Sequence, residues 1–260
     1  MWKCGILILT STRSFLFFCV IPFLNLFTIT FSDCSFLNLF AITFSCCPFL
    51  NPLLYTLVRG SCRLGFRALF RLRIHGLDQI PQDDPVLVAS NHMSHLDPPL
   101  IGSAFPRPLH YLAKEELFHK PLLGRLIAAL GARPVSREDS QKAGTVLKLL
   151  LRFLEEGKSL LLFPEGTRSP DGTLQPLEGG ISFLSVKARV PVVPVWITGT
   201  YEAFPRGASF PRFVPLEVRF GAPLRPEAFL EAGLSEREAR EALLQELESS
   251  LRTLASLPRP

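Results

Sequence analysis

Residues 86–99 read VLVASNHMSHLDPP, an apolar run followed at once by a polar loop and two prolines. The apolar run Val86–Ala89 is short and lies between Pro85 and polar residues, which is typical of a buried strand. Proline is favoured in the first turn of a helix, and it pushes the residue before it toward an extended conformation. The stretch therefore predicts a strand, a polar loop at the end of that strand, and a helix with Asp97 as its N-cap.

The chain from residue 77 onward repeats this alternation of short apolar runs and helical stretches. Further strands are predicted at residues 109–113, 133–136, 159–163, 190–197 and 216–220. A helix is predicted over residues 138–156, and a capping box formed by Ser235 and Glu238 predicts a final helix. The alternation predicts a single α/β domain with a central, mostly parallel or mixed sheet flanked by helices.

The first 52 residues have a different composition. No charged residue lies between Arg13 and Asp33, or between Asp33 and Arg59, and the motif FLNLF at 23–27 recurs at 36–40. Each uncharged stretch is about long enough to cross a bilayer, which takes roughly 20 apolar residues. The alternatives are transmembrane segments, a cleaved signal peptide, or translated repeat DNA upstream of the true start, without native structure.

Residues 53–76 carry a basic, amphipathic pattern. Arg59, Arg63, Arg67 and Arg71 recur at steps of four and so share one face of a helix. Such a helix fits a membrane surface, with arginines at the lipid head groups; the alternative is a solvated arginine face on an ordinary packing helix. The predicted organisation is an apolar segment (1–52), a membrane-associating helix (53–76) and a catalytic domain (77–260).

Composition narrows the functional classes. The chain has 260 residues and a net charge of +5, and its six cysteines all lie within the first 62 residues. A disulfide scaffold is therefore excluded for the body of the protein. A positive charge suits nucleic acid, an anionic membrane or phosphorylated substrates. Because stacking aromatic residues do not accompany the basic residues of the body, a nucleic-acid partner is not expected.

The polar loop after the first strand contains a candidate catalytic pair. A turn over residues 92–96 would bring the side chains of His92 and Asp97 together, so that the carboxylate binds one imidazole nitrogen and the other is free to take a proton. The alternative is a structural histidine beside a capping aspartate. The spacing of His92, His95 and Asp97 does not match the H-x-H-x-D-H pattern of metallo-hydrolases, so no metal site is predicted.

A second candidate cluster, FPEGTRS, occupies residues 163–169 directly after a predicted buried strand. Gly166 permits close approach of the backbone, and the side chains of Thr167 and Arg168 offer hydrogen-bond donors to an anionic group. A plain surface turn that carries an arginine is the alternative.

The sequence NHMSHLD at 91–97 resembles the H-x4-D motif of the PlsC-type glycerolipid acyltransferases, the 1-acyl-glycerol-3-phosphate acyltransferases. Three more stretches are similar to the other conserved blocks of that family in order and spacing: GARPVSR at 131–137, FPEGTRS at 163–169 and VPVVPV at 190–195. The resemblance covers about residues 54–221. The chain departs from the family pattern at Pro134, where a bulky apolar residue is usual, and at Glu178-Gly179-Gly180, where lysine-glycine is common.

The resemblance implies an enzyme that moves a fatty acyl group from acyl-CoA or acyl-carrier protein to the free hydroxyl of 1-acyl-glycerol-3-phosphate, giving phosphatidate. His92 would act as the general base and Asp97 would orient it, with no acyl-enzyme intermediate. The implied substrate-binding residues are Arg137, Glu165, Gly166, Thr167 and Arg168. No cofactor is expected apart from the acyl donor as co-substrate.

Membrane lipids, lysophosphatidate and the acyl donor are the expected partners. The implied location is a membrane, with the catalytic domain facing the cytoplasm. The alternatives are the same chemistry on another lysolipid acceptor, or a non-catalytic basic protein that binds membranes or nucleic acid.

Overall fold

The structure, a computed structural model, describes residues 8–11, 14–17, 52–82, 85–135 and 143–258. The chain divides into two compact units, Met1–Phe49 and Leu50–Pro260. In the first unit, strand β1 (Ile8–Ser11) pairs antiparallel with strand β2 (Ser14–Phe17). These two strands were not predicted, and the remaining expectations for residues 1–51 lie outside the described residues. In the described ranges, no helix has both the length and the apolar character needed to cross a bilayer.

The described part of the second unit alternates strands and helices. Its strands are β3 (Arg73–His75), β4 (Leu87–Ser90), β5 (Leu109–Lys114), β6 (Ala132–Val135), β7 (Ser159–Leu162), β8 (Val192–Thr198) and β9 (Glu217–Phe220). Its helices are α1 (Pro52–Phe70), α2 (Asp97–Ala104), α3 (Glu115–Phe118), α4 (Pro121–Ala129), α5 (Ala143–Glu155), α6 (Gly180–Ala188), α7 (Thr200–Ala203), α8 (Pro226–Glu231) and α9 (Glu236–Ser256).

The strands of this unit, as far as the chain is described, form one mixed sheet in the order β3-β9-β8-β4-β7-β5-β6. Strand β4 lies between β7 and β8 and is parallel to both. Strands β5 and β6 continue the parallel array, whereas β9 is antiparallel to β8. Strand β4 therefore has β5 and β6 on one side of it in the sheet and β8 and β9 on the other. The strand order reverses at this point, and open α/β sheets bind their ligands at such a point.

Helices cover both faces of the sheet. Along β4 the side chains alternate, so that Val88 belongs to one hydrophobic cluster while Leu87 and Ala89 belong to the other. The first cluster includes residues of α1, α2 and α4, and the second includes residues of α5, α6 and α9. Because both faces are covered, the central strands carry nearly continuous apolar runs, as Leu160–Leu162 of β7 illustrate.

The sequence predictions of fold class and of the strands are confirmed. The helix predicted over 138–156 is observed as α5, and the predicted start lies outside the described residues. The predicted capping box is also present: the Ser235 hydroxyl accepts a hydrogen bond from the backbone N–H of Glu238, and the Glu238 carboxylate accepts one from the backbone N–H of Ser235.

The prediction of one basic helix through residue 76 is wrong at its C-terminal end. Helix α1 ends at Phe70, and Arg71 adopts a left-handed conformation with φ of 49°, a common way for a helix to end. The chain then forms β3, which pairs in parallel with β9. Arg71 therefore does not extend the arginine face of the helix, and the Arg59 guanidinium donates a hydrogen bond to the carbonyl of Pro106.

Truncation of Leu247 tests the packing of α9 against the sheet. Leu247 is fully buried, and loss of a buried leucine side chain removes apolar contact and leaves a cavity. We expect Leu247→Ala to lower the free energy of unfolding by about 2–5 kcal/mol, measured by urea denaturation. Leu257→Ala, at a position that is 47% exposed, is the control and should change it by less than about 0.5 kcal/mol. Equal effects would contradict the assigned packing.

Candidate active site

The loop at residues 91–96, here called the β4–α2 loop, begins with an asparagine that ties two strands together. The Asn91 side chain donates a hydrogen bond to the carbonyl of Ile197 at 3.0 Å and accepts one from the backbone N–H of the same residue at 2.7 Å. Asn91 is fully buried. Its amide continues the β4–β8 pairing beyond the last strand residue and so fixes the start of the loop that carries His92.

His92 and Asp97 form a hydrogen-bonded pair. The distance between His92 Nδ1 and Asp97 Oδ2 is 2.9 Å, and the same oxygen accepts the backbone N–H groups of Met93 and Ser94, both at 2.7 Å. Because a carboxylate oxygen only accepts hydrogen bonds, His92 Nδ1 is the donor of the third one. The loop therefore fixes the imidazole tautomer that has Nε2 unprotonated.

The predicted pairing of His92 with Asp97 agrees with the structure, but the predicted N-cap role of Asp97 is wrong. Leu96 is the N-cap and Asp97 is the first residue of α2. The Asp97 carboxylate points back to the N–H groups of the preceding loop instead of capping the helix. Its other oxygen, Oδ1, is buried and has no hydrogen-bond partner among the described residues.

The imidazole ring of His92 has an apolar support. It stacks on the ring of Phe163 with the centroids 4.0 Å apart and the planes 21° from parallel. The side chain is 18% exposed, and Nε2 makes no hydrogen bond to any residue that the structure describes. The free nitrogen is thus available to a bound molecule while the ring itself is held in place.

The segment at residues 163–179, here called the β7–α6 loop, holds the backbone of His92 on both sides. Glu165 Oε1 accepts the backbone N–H of His92 at 2.6 Å, and Oε2 accepts that of Gln175 at 2.8 Å. The carbonyl of His92 accepts the backbone N–H of Ser169 at 2.7 Å. Glu165 is buried, and burial raises the pKa of its carboxyl while the two N–H donors lower it.

Glu165 therefore has a structural position that sequence reasoning missed. Both of its oxygens accept hydrogen bonds from backbone amides, so the side chain supports the β4–α2 loop. Contact of Glu165 with the acceptor stays a prediction. The signal available in the sequence was the place of this carboxylate directly after an apolar strand, because a buried charge in such a place needs partners.

The remaining predicted binding residues differ in their surroundings. Gly166 has a φ of +67° and Thr167 is exposed, while Arg168 is half-buried. Burial and then the charge of Arg206 lower the pKa of Arg168, and the charge of Asp97 raises it. Arg168 is thus electrostatically coupled to the buried carboxylate of the pair. Arg137 lies outside the described residues, and its role stays a prediction.

Within the described ranges, no group of three His, Cys, Asp or Glu side chains comes together in a way that could hold a metal ion. The chemistry that the described groups offer is proton transfer at His92 Nε2.

Comparison with known proteins finds acyltransferases that are similar to this chain. Residues 71–198 match the profile of a family described as Acyltransferase. A chloroplastic 1-acyl-sn-glycerol-3-phosphate acyltransferase of Brassica napus, BAT2, is 34% identical over 141 residues, which are 54% of this chain and 41% of that protein. The 1-acyl-sn-glycerol-3-phosphate acyltransferase of Bacillus subtilis is 26% identical over 186 residues, or 69% of this chain and 89% of that one.

A solved structure shares the fold. The crystal structure of the 1-acyl-sn-glycerophosphate (LPA) acyltransferase PlsC from Thermotoga maritima aligns with a TM-score of 0.62 and 29% sequence identity, covering 79% of this chain and 81% of that one. The chain spans only about two fifths of the length of the Brassica relative.

The part of the chain that matches the Acyltransferase profile contains the His92–Asp97 pair at the end of the central strand. The sequence profile and the aligned structure carry this one step further: just under half of the chain matches the Acyltransferase profile, and the chain is similar to PlsC-type acyltransferases in sequence and fold.

Replacement of Asn91 tests the connection between β4 and β8. Asn91→Ala leaves the buried N–H and C=O of Ile197 without partners, and each such loss costs about 1–3 kcal/mol. We expect the free energy of unfolding to fall by about 2–5 kcal/mol in a denaturant titration. The control is Gln79→Ala, because Gln79 is exposed and its loss should change stability by less than about 0.5 kcal/mol. Unchanged stability of the Asn91 variant would contradict the assigned connection.

Proposed function

We propose that this protein transfers a fatty acyl group from the thioester of acyl-CoA or acyl-carrier protein to the free hydroxyl of 1-acyl-glycerol-3-phosphate, with phosphatidate as the product. The observation that carries the proposal is the His92–Asp97 pair, in which Nδ1 is bound by a buried carboxylate and Nε2 has no protein partner among the described residues. The named relatives and the aligned PlsC structure support the choice of acceptor.

The proposed reaction needs one base and no covalent enzyme intermediate. His92 Nε2 takes the proton of the acceptor hydroxyl as its oxygen attacks the thioester carbonyl, and Asp97 stabilises the resulting imidazolium. The tetrahedral adduct then collapses: the carbon–sulfur bond breaks, the new ester bond remains, and the thiolate takes the proton from His92. General base catalysis of this kind contributes about 10²–10⁴ to a rate.

Binding of the acceptor phosphate is proposed to involve the cationic side of the site. Arg168 is a suitable partner because the planar guanidinium binds phosphate through two parallel hydrogen bonds. Thr167, which is exposed, and Arg137 are the further proposed donors.

Substitution of the base tests the proposal. We expect His92→Ala to reduce the turnover number about 10²–10⁴-fold, because the acceptor hydroxyl loses its proton acceptor. The measurement is thiol release from acyl-CoA that depends on added lysophosphatidate, with phosphatidate identified by mass spectrometry. His75→Ala, at an exposed histidine on the edge strand β3, is the matched control and should retain activity. Normal turnover of the His92 variant would exclude His92 as the base.

We also propose that the protein works at a membrane surface, with membrane lipids as partners and the catalytic domain on the cytoplasmic side. Leu57 and Leu64 of α1 are 58% and 69% exposed, and their spacing of two helical turns places them on one face. Arg63 and Arg67 lie beside this apolar face. An exposed apolar stripe beside arginines fits the boundary between lipid head groups and acyl chains.

Introducing negative charges into the apolar stripe tests the membrane proposal. The double variant Leu57→Glu, Leu64→Glu should bind vesicles that contain anionic lipid at least about tenfold more weakly, because the glutamates oppose both burial in lipid and the anionic surface. Co-sedimentation of the full chain with vesicles measures this. Leu257→Glu, another exposed leucine, serves as the control. Unchanged sedimentation of the double variant would argue against α1 as a membrane contact.

One observation favours a second candidate acceptor. Glu178 stands where the family pattern commonly has lysine, and a Cβ added at Gly166 would come within 2.6 Å of Glu178 Oε1. A carboxylate therefore lies against the FPEGTR turn. This charge would favour a lysolipid that carries a cationic head group. Parallel assays with lysophosphatidate and lysophosphatidylethanolamine separate the two acceptors, and thiol release with neither would favour a non-catalytic binding protein.

A further inference from the structure

We propose that Arg206, together with Arg168, forms a two-arginine site for a phosphate group at the mouth of the His92–Asp97 site. The proposal rests on the proposed acyl transfer, to which it adds a positioning residue in a part of the chain that the sequence motifs do not cover. Its basis is that the loops carrying Arg168 and Arg206 are both hydrogen-bonded to the β4–α2 loop.

Arg168 is brought to the site by the residue that follows it. The backbone N–H of Ser169 donates to the carbonyl of His92 at 2.7 Å. Ser169 is buried, so the backbone next to Arg168 is fixed against the β4–α2 loop. The guanidinium is half-buried, and the charge of Asp97 raises its pKa.

Arg206 is brought to the site from the other side, by the segment at residues 199–216, here called the β8–β9 loop. The hydroxyl of Ser94 donates to the carbonyl of Phe204 at 2.7 Å, and the backbone N–H of Ser94 donates to Asp97. The attachment point of this loop therefore lies two residues from His92 along the chain and two residues from Arg206.

The backbone presents Arg206 at the corner of a turn. The N–H of Ala208 donates to the carbonyl of Pro205 at 3.2 Å, and Gly207 has a φ of +87°. A positive φ at the third position of a four-residue turn is what a type II turn requires, and it leaves the second residue at the outer corner. Arg206 occupies that position, and its side chain is exposed.

The two guanidinium groups influence each other, since the charge of Arg206 contributes to the lowered pKa of Arg168. Among the described residues, neither arginine has a carboxylate within ion-pair distance. His95 lies in the same environment: partial burial and then the charge of Arg168 lower its pKa. Two cations on adjacent loops repel each other, and a phosphate that bridges them reduces the repulsion and accepts bidentate hydrogen bonds.

The phosphate has two possible sources in the proposed reaction: the monoester of the acceptor and the nucleotide phosphates of a CoA donor. The experiment compares wild type with Arg206→Ala in two kinetic series. One series varies lysophosphatidate or a monoacylglycerol at fixed acyl-CoA, and the other varies acyl-CoA or acyl-pantetheine at fixed lysophosphatidate. Arg212→Ala is the matched control, because Arg212 is an exposed arginine of the same loop.

We expect Arg206→Ala to raise the KM for one phosphate-bearing substrate about ten- to a hundredfold, the effect of losing one charged hydrogen bond. The turnover number should change less than about twofold, and Arg206→Lys should restore part of the affinity. A raised KM for lysophosphatidate alone assigns the site to the acceptor, and one for acyl-CoA but not acyl-pantetheine assigns it to the donor. Unchanged KM values, or an equal effect of Arg212→Ala, would overturn the proposal.

A binding measurement separates failure of this proposal from failure of the proposed function. Titration of glycerol 3-phosphate followed by ³¹P NMR reports on binding without turnover. Weaker binding to Arg206→Ala than to wild type and Arg212→Ala supports the site even if the wild-type protein transfers no acyl group to lysophosphatidate. Equal binding to the three proteins would overturn the site whatever the activity. Thermal unfolding of each variant shows whether the fold is retained.

Discussion

Three hydrogen bonds to one oxygen atom organise the candidate active site. Oδ2 of Asp97 accepts hydrogen bonds from the His92 imidazole and from the backbone N–H groups of Met93 and Ser94. Burial of a carboxylate is costly unless donors replace the lost water, and these three donors do so only if the β4–α2 loop curls around the side chain. The conformation of the loop and the orientation of the base are therefore determined by the same group.

The sheet determines which groups meet this carboxylate. Since β4 is parallel to both of its neighbours, the loops that follow β4, β7 and β8 emerge at one edge. Glu165 and Ser169 reach His92 from one side, and Phe204 reaches Ser94 from the other. These contacts join residues that are far apart in the sequence, so the site depends on the correct order of the strands. A reversal of sheet order at β4 thus has a direct chemical consequence.

Local patterns were sufficient to predict strands β4 to β9, the capping box at Ser235 and the approach of His92 to Asp97, because each depends on residues close in sequence. Three other features depend on strand order, which local patterns do not determine. They are the hydrogen bonds between Asn91 and Ile197, the stacking of Phe163 on His92 and the binding of backbone amides by Glu165. The end of α1 was misjudged for the same reason: arginine spacing continued a helical pattern past Phe70, whereas pairing of β3 with β9 ended the helix.

The attachment of the turn at Pro205–Ala208 has an evolutionary consequence. The His92–Asp97 pair is fixed by buried groups and main-chain bonds, whereas Arg206 lies on an exposed corner that is held to the β4–α2 loop through the Ser94–Phe204 bond. Substitutions on exposed loops usually leave the scaffold intact. Under the proposed function, drift in this turn would change the preference for acceptor or donor while the His92–Asp97 pair is inherited unchanged.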